Sequence, residues 1–298
     1  MTNLGDLEIF SRVIAVGSMS AAGRALGLSP AVVSKRVKRL EERLGTRLFQ
    51  RTTRQISLTE AGQGFYERIV GILAGIEEAE AFVSGRSGAV RGTLRISAPT
   101  SFGRLHIAPH LKGFMDSHPE LVINLVLADD FSDIVGGGFD LAIRIGELSD
   151  SSLVARRLAS VRRILCASPD YIARHGMPAS LEELAQHVCL PPHTQDVWRL
   201  EGPKGNETYR PQGALYTNSS EVVTEAVLAG MGIALRSTWD IGPALKNGEL
   251  RQVLPDYEGS RNVVLSAVYP SRQFLPVKVR LFIDYLADLY GPLPYWER

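Results

Sequence analysis

The sequence predicts two fold classes in one chain: a short, mostly helical, basic head and a longer α/β body. Three observations carry this reading. Ser18 to Gly45 spaces two short helices about a tight turn, and positive charge gathers in the first 58 residues. From about residue 91, strand-like runs alternate with helical stretches. With 298 residues and 45% hydrophobic content, the chain is long enough for two or three small domains, each with its own core.

In the head, Leu4 to Val16 reads as a helix with Leu7, Phe10 and Ile14 on one side. Ser18 is of N-cap type, and Ala21, Ala22, Ala25 and Leu26 let a short helix pack closely until Gly27 stops it. Ser29 supplies the next N-cap, and Pro30 suits the first helical position because no helical bond needs its missing N–H. Val33, Val37, Leu40 and Leu44 form one apolar stripe on that second helix, leaving Ser34, Lys35, Lys38 and Arg39 on a cationic face. Such a pair lays the N-terminal turns of its second helix in the DNA major groove; the plainer alternative is a helical hairpin with a solvated basic face. Leu48 to Ser57 then reads as a two-stranded wing. Its tip carries Arg51, Thr52, Thr53 and Arg54, partners for phosphates and the minor groove. Residues 1–58 hold ten Lys/Arg against four Asp/Glu, while the whole chain nets +1.

Residues 18 to 62 closely resemble the winged helix-turn-helix of LysR-type transcriptional regulators, in the run S-x-S-A-A-x-x-x-L-x-x-S that continues through L-E-x-x-L-G-x-x-L-F-x-R to L-T-E-A-G. The resemblance implies that Ser34 and Lys35 contact DNA from the recognition helix and that the wing arginines reach the minor groove. The candidate DNA-contacting set is Ser18, Ser29, Pro30, Ala31, Ser34, Lys35, Lys38, Arg51, Thr52, Thr53 and Arg54. Lys35 stands where the family usually has arginine and Pro30 where many members have glutamine; lysine makes the forked contact to guanine less well.

Thr59 to Ser84 is a long helix whose Leu58, Gly62, Phe65, Ile69, Ile72, Ile76, Ala79 and Val83 recur at heptad spacing. One alternative is packing against its own domain. The other is a seam with a second subunit formed by Phe65, Ile69, Ile72, Ile76, Ala79 and Val83, the arrangement the family resemblance implies. Two heads joined symmetrically read an inverted repeat in double-stranded DNA. The resemblance also admits a homotetramer built from such homodimers.

Ser84 to Arg91 is a glycine-rich linker. Beyond it, strands are expected at Thr93–Ala98, Val122–Leu127, Leu141–Ile145, Arg163–Ala167, Gly213–Thr217, Gly232–Leu235 and Val263–Tyr269. Helices are expected near 103–117, 131–136, 169–174, 181–187, 220–230, 239–247 and 275–290, which argues for mostly parallel sheets. Ligands in such sheets sit beyond the strand C-termini, so the tips after Ala98, Leu127, Ile145 and Thr217 are the places to inspect. Thr100, Ser101 and Phe102 follow one tip, Asn218 and Ser219 another, each before a helix, with Arg144 between them; this arrangement suits a small organic anion, and helix capping is the simpler reading of each hydroxyl.

The runs LRISAPTSFGR, FDLAIRIGEL and LAGMGIAL resemble the effector-binding domain of the same family, itself similar to type II periplasmic binding proteins with two lobes. The resemblance implies an effector near Thr100, Ser101, Phe102, Arg144, Asn218 and Ser219, and within the family it is nearest to the branch of hydroxy-acid and malate-type regulators. The expected layout is a DNA-binding domain at 1–58, a linker helix and hinge at 59–87, and an effector-binding domain at 88–298. Lobe I takes 91–162 and 268–298, and lobe II takes 163–267.

Cys166 and Cys189 are isolated, and His106 and His110 are interrupted by Pro109, so no disulfide, metal or other cofactor is expected. Asp6 and Glu8 near the start do not suit a signal peptide, and no apolar run is long enough to span a membrane; the expectation is a soluble, cytoplasmic protein. The function classes in play are a ligand-responsive DNA-binding regulator, a small-molecule-binding protein, and an enzyme. No G-x-S-x-G, P-loop, H-E-x-x-H or strand-following G-x-G-x-x-G occurs, so an enzyme is the poorest reading.

Overall fold

The computed structural model describes residues 3–51, 56–83, 90–129, 137–147, 153–192, 197–213, 215–270 and 275–298. The head comprises α1 (Leu4–Val16), α2 (Met19–Leu26), α3 (Pro30–Leu44), the wing strands β1 (Phe49–Arg51) and β2 (Ile56–Leu58), and the long helix α4 (Glu60–Val83). Ser18 Oγ accepts from the Ala21 N–H and Ser29 Oγ from the Val32 N–H, both at 3.3 Å, closing the free ends of α2 and α3. Each such cap contributes about 1 kcal/mol. At Gly27 the chain leaves α2 with φ of 66°, a left-handed geometry that a Cβ would strain. The wing pairs antiparallel, Phe49 opposite Leu58 and Arg51 opposite Ile56.

Val33, Val37 and Leu40 are fully buried in a core with Phe10, Phe49, Tyr66 and Ile69. Leu44, expected in the same stripe, is instead 38% exposed, and Glu41 is buried beside the stripe. The reason lies outside the helix. Glu41 Oε1 accepts from the N–H groups of Leu48 at 2.8 Å and Phe49 at 3.1 Å, so α3 must turn that residue inward. Asp6, also buried, faces Arg36 and Arg43 at 3.8 Å each and ties α1 to α3. Helix α4 approaches the wing base so closely that a Cβ on Gly62 would lie 2.0 Å from the Leu48 carbonyl oxygen.

The heptad face of α4 is divided between two environments. Ile69 is 2% exposed in the head core, with Phe65 packed against that core, whereas Ile72 is 45% exposed. Ile76 is half-buried, and the side chains of Ala79 and Val83 lie outside the described residues. Ile69 is thus spent within its own subunit.

The body holds two sheets. The first contains β3 (Gly92–Ala98), β4 (Leu121–Leu127), β5 (Leu141–Glu147), β6 (Val154–Ser160) and β13 (Val263–Tyr269), in the order β4-β3-β5-β13-β6. Strand β3 runs parallel to β4 and β5; β13 runs antiparallel to β5 and β6. The second sheet contains β7 (Arg163–Ala167), β8 (Trp198–Gly202), β9 (Gly205–Tyr209), β10 (Ala234–Ser237) and β12 (Glu258–Gly259), with β11 (Arg251–Gln252) on β7; its strand pairings are antiparallel. The expectation of mostly parallel sheets is therefore corrected to one mixed and one antiparallel sheet. Hairpins such as β8–β9, joined at Pro203–Lys204, need no crossover helix.

Thr100–Ser117 is one helical run: α5 (Thr100–Phe102), a π segment (Gly103–Ile107), a 3₁₀ turn (Ala108–His110) and α6 (Leu111–Ser117). Pro109, which lacks an N–H, sits in the 3₁₀ part of that irregularity. Helices α7 (Pro169–His175), α8 (Ser220–Leu228), α9 (Thr238–Lys246) and α10 (Val277–Tyr290) complete the body; 182–186 is 3₁₀ rather than α. Gly213 and 215–217 carry no strand, and the helix expected at 131–136 lies outside the described residues, as does most of the 84–91 linker. Because all of β13 belongs to the first sheet, the chain returns to lobe I near residue 260 rather than at 268. Val279, Phe282, Ile283 and Leu286 of α10 seal the first sheet's core.

Candidate functional site

Two sites deserve separate description, one on the head and one between the lobes. On α3 Ala31, Lys35, Lys38 and Arg39 are among the exposed side chains, with Ser34 half-buried in the helix's N-terminal half. Ser29 and Pro30 are exposed at its start, and Ser18 is half-buried at the start of α2. Lys38 reaches Glu42 at 3.5 Å along the helix, a solvated pair of little energetic weight. Arg51 closes β1, but its side chain lies outside the described residues, as do Thr52, Thr53 and Arg54. What the structure brings together is a capped helix with a cationic outer face and a wing base fixed to it through Glu41.

A cavity of about 650 Å³ lies between the two sheets, lined by Ser101, Asp129, Arg144 and Glu147 from lobe I and by Arg163, Arg199, Asn218, Ser220, Arg236 and Trp239 from lobe II. Four arginines face two carboxylates among these lining residues, so the cavity is cationic within a body whose overall charge is negative.

Of the expected residues, Ser101 is 1% exposed and lines the cavity, and its hydroxyl has no hydrogen-bond partner among the described residues. Arg144 lines it too, donating from Nη2 to Ser97 Oγ at 3.1 Å; burial lowers its pKa from the usual guanidinium value, yet the group stays charged at neutral pH. Thr100 offers its backbone N–H, and Asn218 contributes to the wall. Phe102 does not line the cavity. It is fully buried in lobe I, edge-on to Trp239 at 5.2 Å and to Tyr290 at 5.9 Å. Ser219 acts as the N-cap of α8, its Oγ accepting from the Val222 N–H at 3.4 Å, and Ser220 takes the place beside the cavity.

Sequence reasoning missed Asp129, Arg163, Arg236 and Trp239. Asp129 Oδ1 accepts from the Thr100 N–H at 2.7 Å and Oδ2 from the Ser220 N–H at 3.3 Å, one carboxylate spanning both lobes. The sequence points to the tip after Leu127 but not to the residue that fills it. Burial, reinforced by the neighbouring Arg236, pushes Arg163 down to about 10. Arg236 is buried against Asp240, which also accepts from Thr224 Oγ1 at 2.8 Å; the Arg236 Nε–H and the Trp239 indole N–H have no partner among the described residues. At the cavity rim Arg199 pairs with Glu147 at 2.8 Å and Arg104 with Glu221 at 3.0 Å, both across the lobes.

Behind the cavity, His106 accepts at Nδ1 from the Tyr295 hydroxyl at 2.6 Å and donates from Nε2 to the Trp239 carbonyl at 3.0 Å, while His110 Nε2 meets the same hydroxyl at 3.2 Å. These ring nitrogens are engaged in lobe contacts, and among the described residues no cluster of metal-ligating side chains occurs. No helix of the described residues is long and apolar enough to cross a membrane.

Comparison with known proteins names a family for both parts of the chain. Residues 4–63 match the model of the bacterial regulatory helix-turn-helix protein, lysR family, and residues 87–291 match the LysR substrate binding domain. The chain is 37% identical over 286 residues to the HTH-type transcriptional activator TtdR of Escherichia coli, covering 95% of this chain and 92% of that one. It is 38% identical over 292 residues to the HTH-type transcriptional regulator DmlR of the same species, covering 97% and 94%. Among solved structures, full-length AphB, described as a Vibrio cholerae virulence activator and a member of the LTTR family, superposes with a TM-score of 0.61 at 30% identity, covering 96% of this chain and 99% of that one. CrgA, a LysR-type regulator from Neisseria meningitidis, gives 0.61 at 33% identity, covering 97% and 99%. These relatives are regulators rather than enzymes, and with a capped basic reading helix at one end and a two-lobed cavity domain at the other, the chain belongs to the LysR family of DNA-binding transcription regulators.

Proposed function

We propose that this regulator is switched on its operator by a small organic carboxylate bound between the lobes. The carrying observation is the cavity's lining of four arginines against two carboxylates. The Ser101 hydroxyl, the Trp239 indole N–H and the Arg236 Nε–H are buried without partners among the described residues, beside Arg144 and Arg163. Unpaired buried donors each cost about 1–3 kcal/mol, a cost relieved where side-chain movement brings them to an anion with several acceptor oxygens. A hydroxy acid or dicarboxylate fits within the cavity and offers several acceptor oxygens to its arginines. Binding that favours one lobe angle shifts the equilibrium between subunit arrangements and so the separation of the heads.

The operator is proposed to be an inverted repeat in double-stranded DNA, read by a homodimer that meets through the outward part of α4, where Ile72 is 45% exposed. Strand β4 lies at a sheet edge with Val122 60% exposed and Val126 37% exposed, an apolar face that supports a second subunit contact and hence a homotetramer.

The test is isothermal titration of the full chain against hydroxy-, keto- and dicarboxylic acids, followed by footprinting with the best binder. Thr100→Val is expected to leave binding nearly intact, because Ser101 rather than Thr100 lines the cavity and Thr100 contributes its backbone N–H, while Ser101→Ala is expected to weaken it by about 1–3 kcal/mol. A footprint unchanged by a ligand that binds sinks the switching role.

A further inference from the structure

The two backbone donors best placed for a ligand carboxylate already hold one. Asp129 follows β4, where the Ala128 N–H donates to the Ala98 carbonyl at 3.0 Å and keeps the tip of β4 against β3. From there the Asp129 carboxylate reaches the Thr100 N–H of lobe I and the Ser220 N–H of lobe II, at 2.7 and 3.3 Å, while lining the same cavity as Arg144 and the unpartnered, 1% exposed Ser101 hydroxyl. Capping one helix would need one oxygen and no contact with the other lobe. Using both oxygens across the cleft makes the side chain a tie between lobes.

We infer that Asp129 is a built-in competitor for the effector, occupying the carboxylate position between the lobes until a ligand displaces it. This rests on the effector reading above and deepens it. Displacement exchanges one carboxylate for another at the same two N–H groups, so that exchange alone yields little, and the tethered group competes at a high effective concentration. The apparent affinity of any effector is its intrinsic affinity multiplied by the fraction of molecules in which Asp129 is unseated. A ligand therefore gains only if it carries a second acceptor group that Asp129 does not replace, one that reaches Ser101 or Arg144. The competitor selects diacids and hydroxy acids against simple monoacids. It also couples binding to lobe geometry, because displacing Asp129 removes a bond between the lobes at the moment the ligand arrives.

Asp129→Asn keeps the shape and one acceptor oxygen but removes the charge, and Asp129→Ser, which keeps a small acceptor near Thr100, serves as the second variant should the first fold poorly. Full-length wild type and both variants are titrated with malate, succinate and butyrate, with thermal melts as the folding control. The expected result is an apparent Kd for malate or succinate lowered about tenfold in a folded variant, a narrowed preference for these diacids over butyrate, and an effector-free footprint resembling the wild type's liganded one. If wild type binds a diacid and the folded variant binds it equally or more weakly, Asp129 is only a helix cap; the inference is overturned and the effector reading stands. If none of the proteins binds any of the three acids at millimolar concentration, the carboxylate reading fails and takes this inference with it.

Discussion

The guanidinium of Arg95, in the middle of β3, donates through Nη1 to the carbonyl oxygen of Ala15 near the end of the first head helix. The same nitrogen donates to the Gly138 carbonyl at 3.2 Å, and the guanidinium lies 5.3 Å from the centre of the Phe139 ring. Gly138 approaches so closely that a Cβ there would be 2.7 Å from Ala15 Cα. Head and body are thus joined through the strand that also carries Ser97, Arg144's partner, toward the cavity. Arg95→Met retains the aliphatic stem and removes both hydrogen bonds. The unfolding free energy of the full chain is expected to fall by about 1–3 kcal/mol. A urea midpoint equal to wild type's is the outcome that counts against this contact.

Lys35 is exposed on the outer face of α3, one residue after the half-buried Ser34. Lys35→Ala is expected to weaken specific DNA binding by about 1–3 kcal/mol and to relax one base position. Lys35→Arg should sharpen that same position toward guanine, because the fork donates to two acceptors at once. Selection from a randomised half-site reads both effects. Unaltered base preference in both variants removes Lys35 from the reading surface.

Ile72 projects from α4 with 45% of its surface open, next to a turn whose Ile69 is buried in the head. Ile72→Glu leaves the head core untouched and places a charge on the proposed subunit seam. The variant should fold, by circular dichroism, yet sediment as a monomer at concentrations where wild type is assembled. Ile69→Glu should instead unfold the head. A folded Ile72→Glu protein with wild-type sedimentation refutes the seam.

Burial, the largest influence, lowers the pKa of His106 below the ordinary 6.5, with His110 adding to the effect; the hydrogen bond to the Trp239 carbonyl and the charge of Asp240 oppose it. The folded state therefore binds this proton less readily than the unfolded chain. Its contribution to stability is complete above about pH 6.5 and is lost as pH falls below that value toward the lower folded pKa. The denaturation midpoint of wild type should drop between about pH 7.5 and about 5.5. His106→Gln, which keeps a donor for Trp239 and does not titrate, should show a shallower drop. Parallel pH profiles in the two proteins would exclude His106 as a source of the slope.

Much of the head was legible because its signals are local. Ser18, Ser29, Pro30 and Gly27 mark the ends of α2 and α3 through bonds spanning four residues or fewer, and the wing strands lie close in sequence. Glu41 was not legible. Its burial answers to Leu48 and Phe49, which are off the helix, and a periodicity along α3 carries no record of them. Strand β6 was missed for a similar reason: its alternation is weak, with Arg156 and Arg157 consecutive, and its pairing partner β13 lies about a hundred residues away in sequence. The cavity was half legible. Helix-start hydroxyls pointed to Thr100, Ser101 and the region of Ser220, and the switch-point rule pointed to the tip after Leu127. That Asp129 bridges two of these places is a relation of 29 residues in one direction and 91 in the other, set by the packing of two lobes.

Glu41 bears on how the regulator chooses its binding sites. Two N–H groups at the start of the wing are held on one carboxylate of α3, so the proposed reading helix and the wing base are tied together. Each head is a gauge of fixed width. In the proposed dimer, tolerance for half-sites lying a base pair closer or farther apart then resides in the connection between heads. A new target promoter is reached more readily by changed letters inside a half-site than by altered spacing.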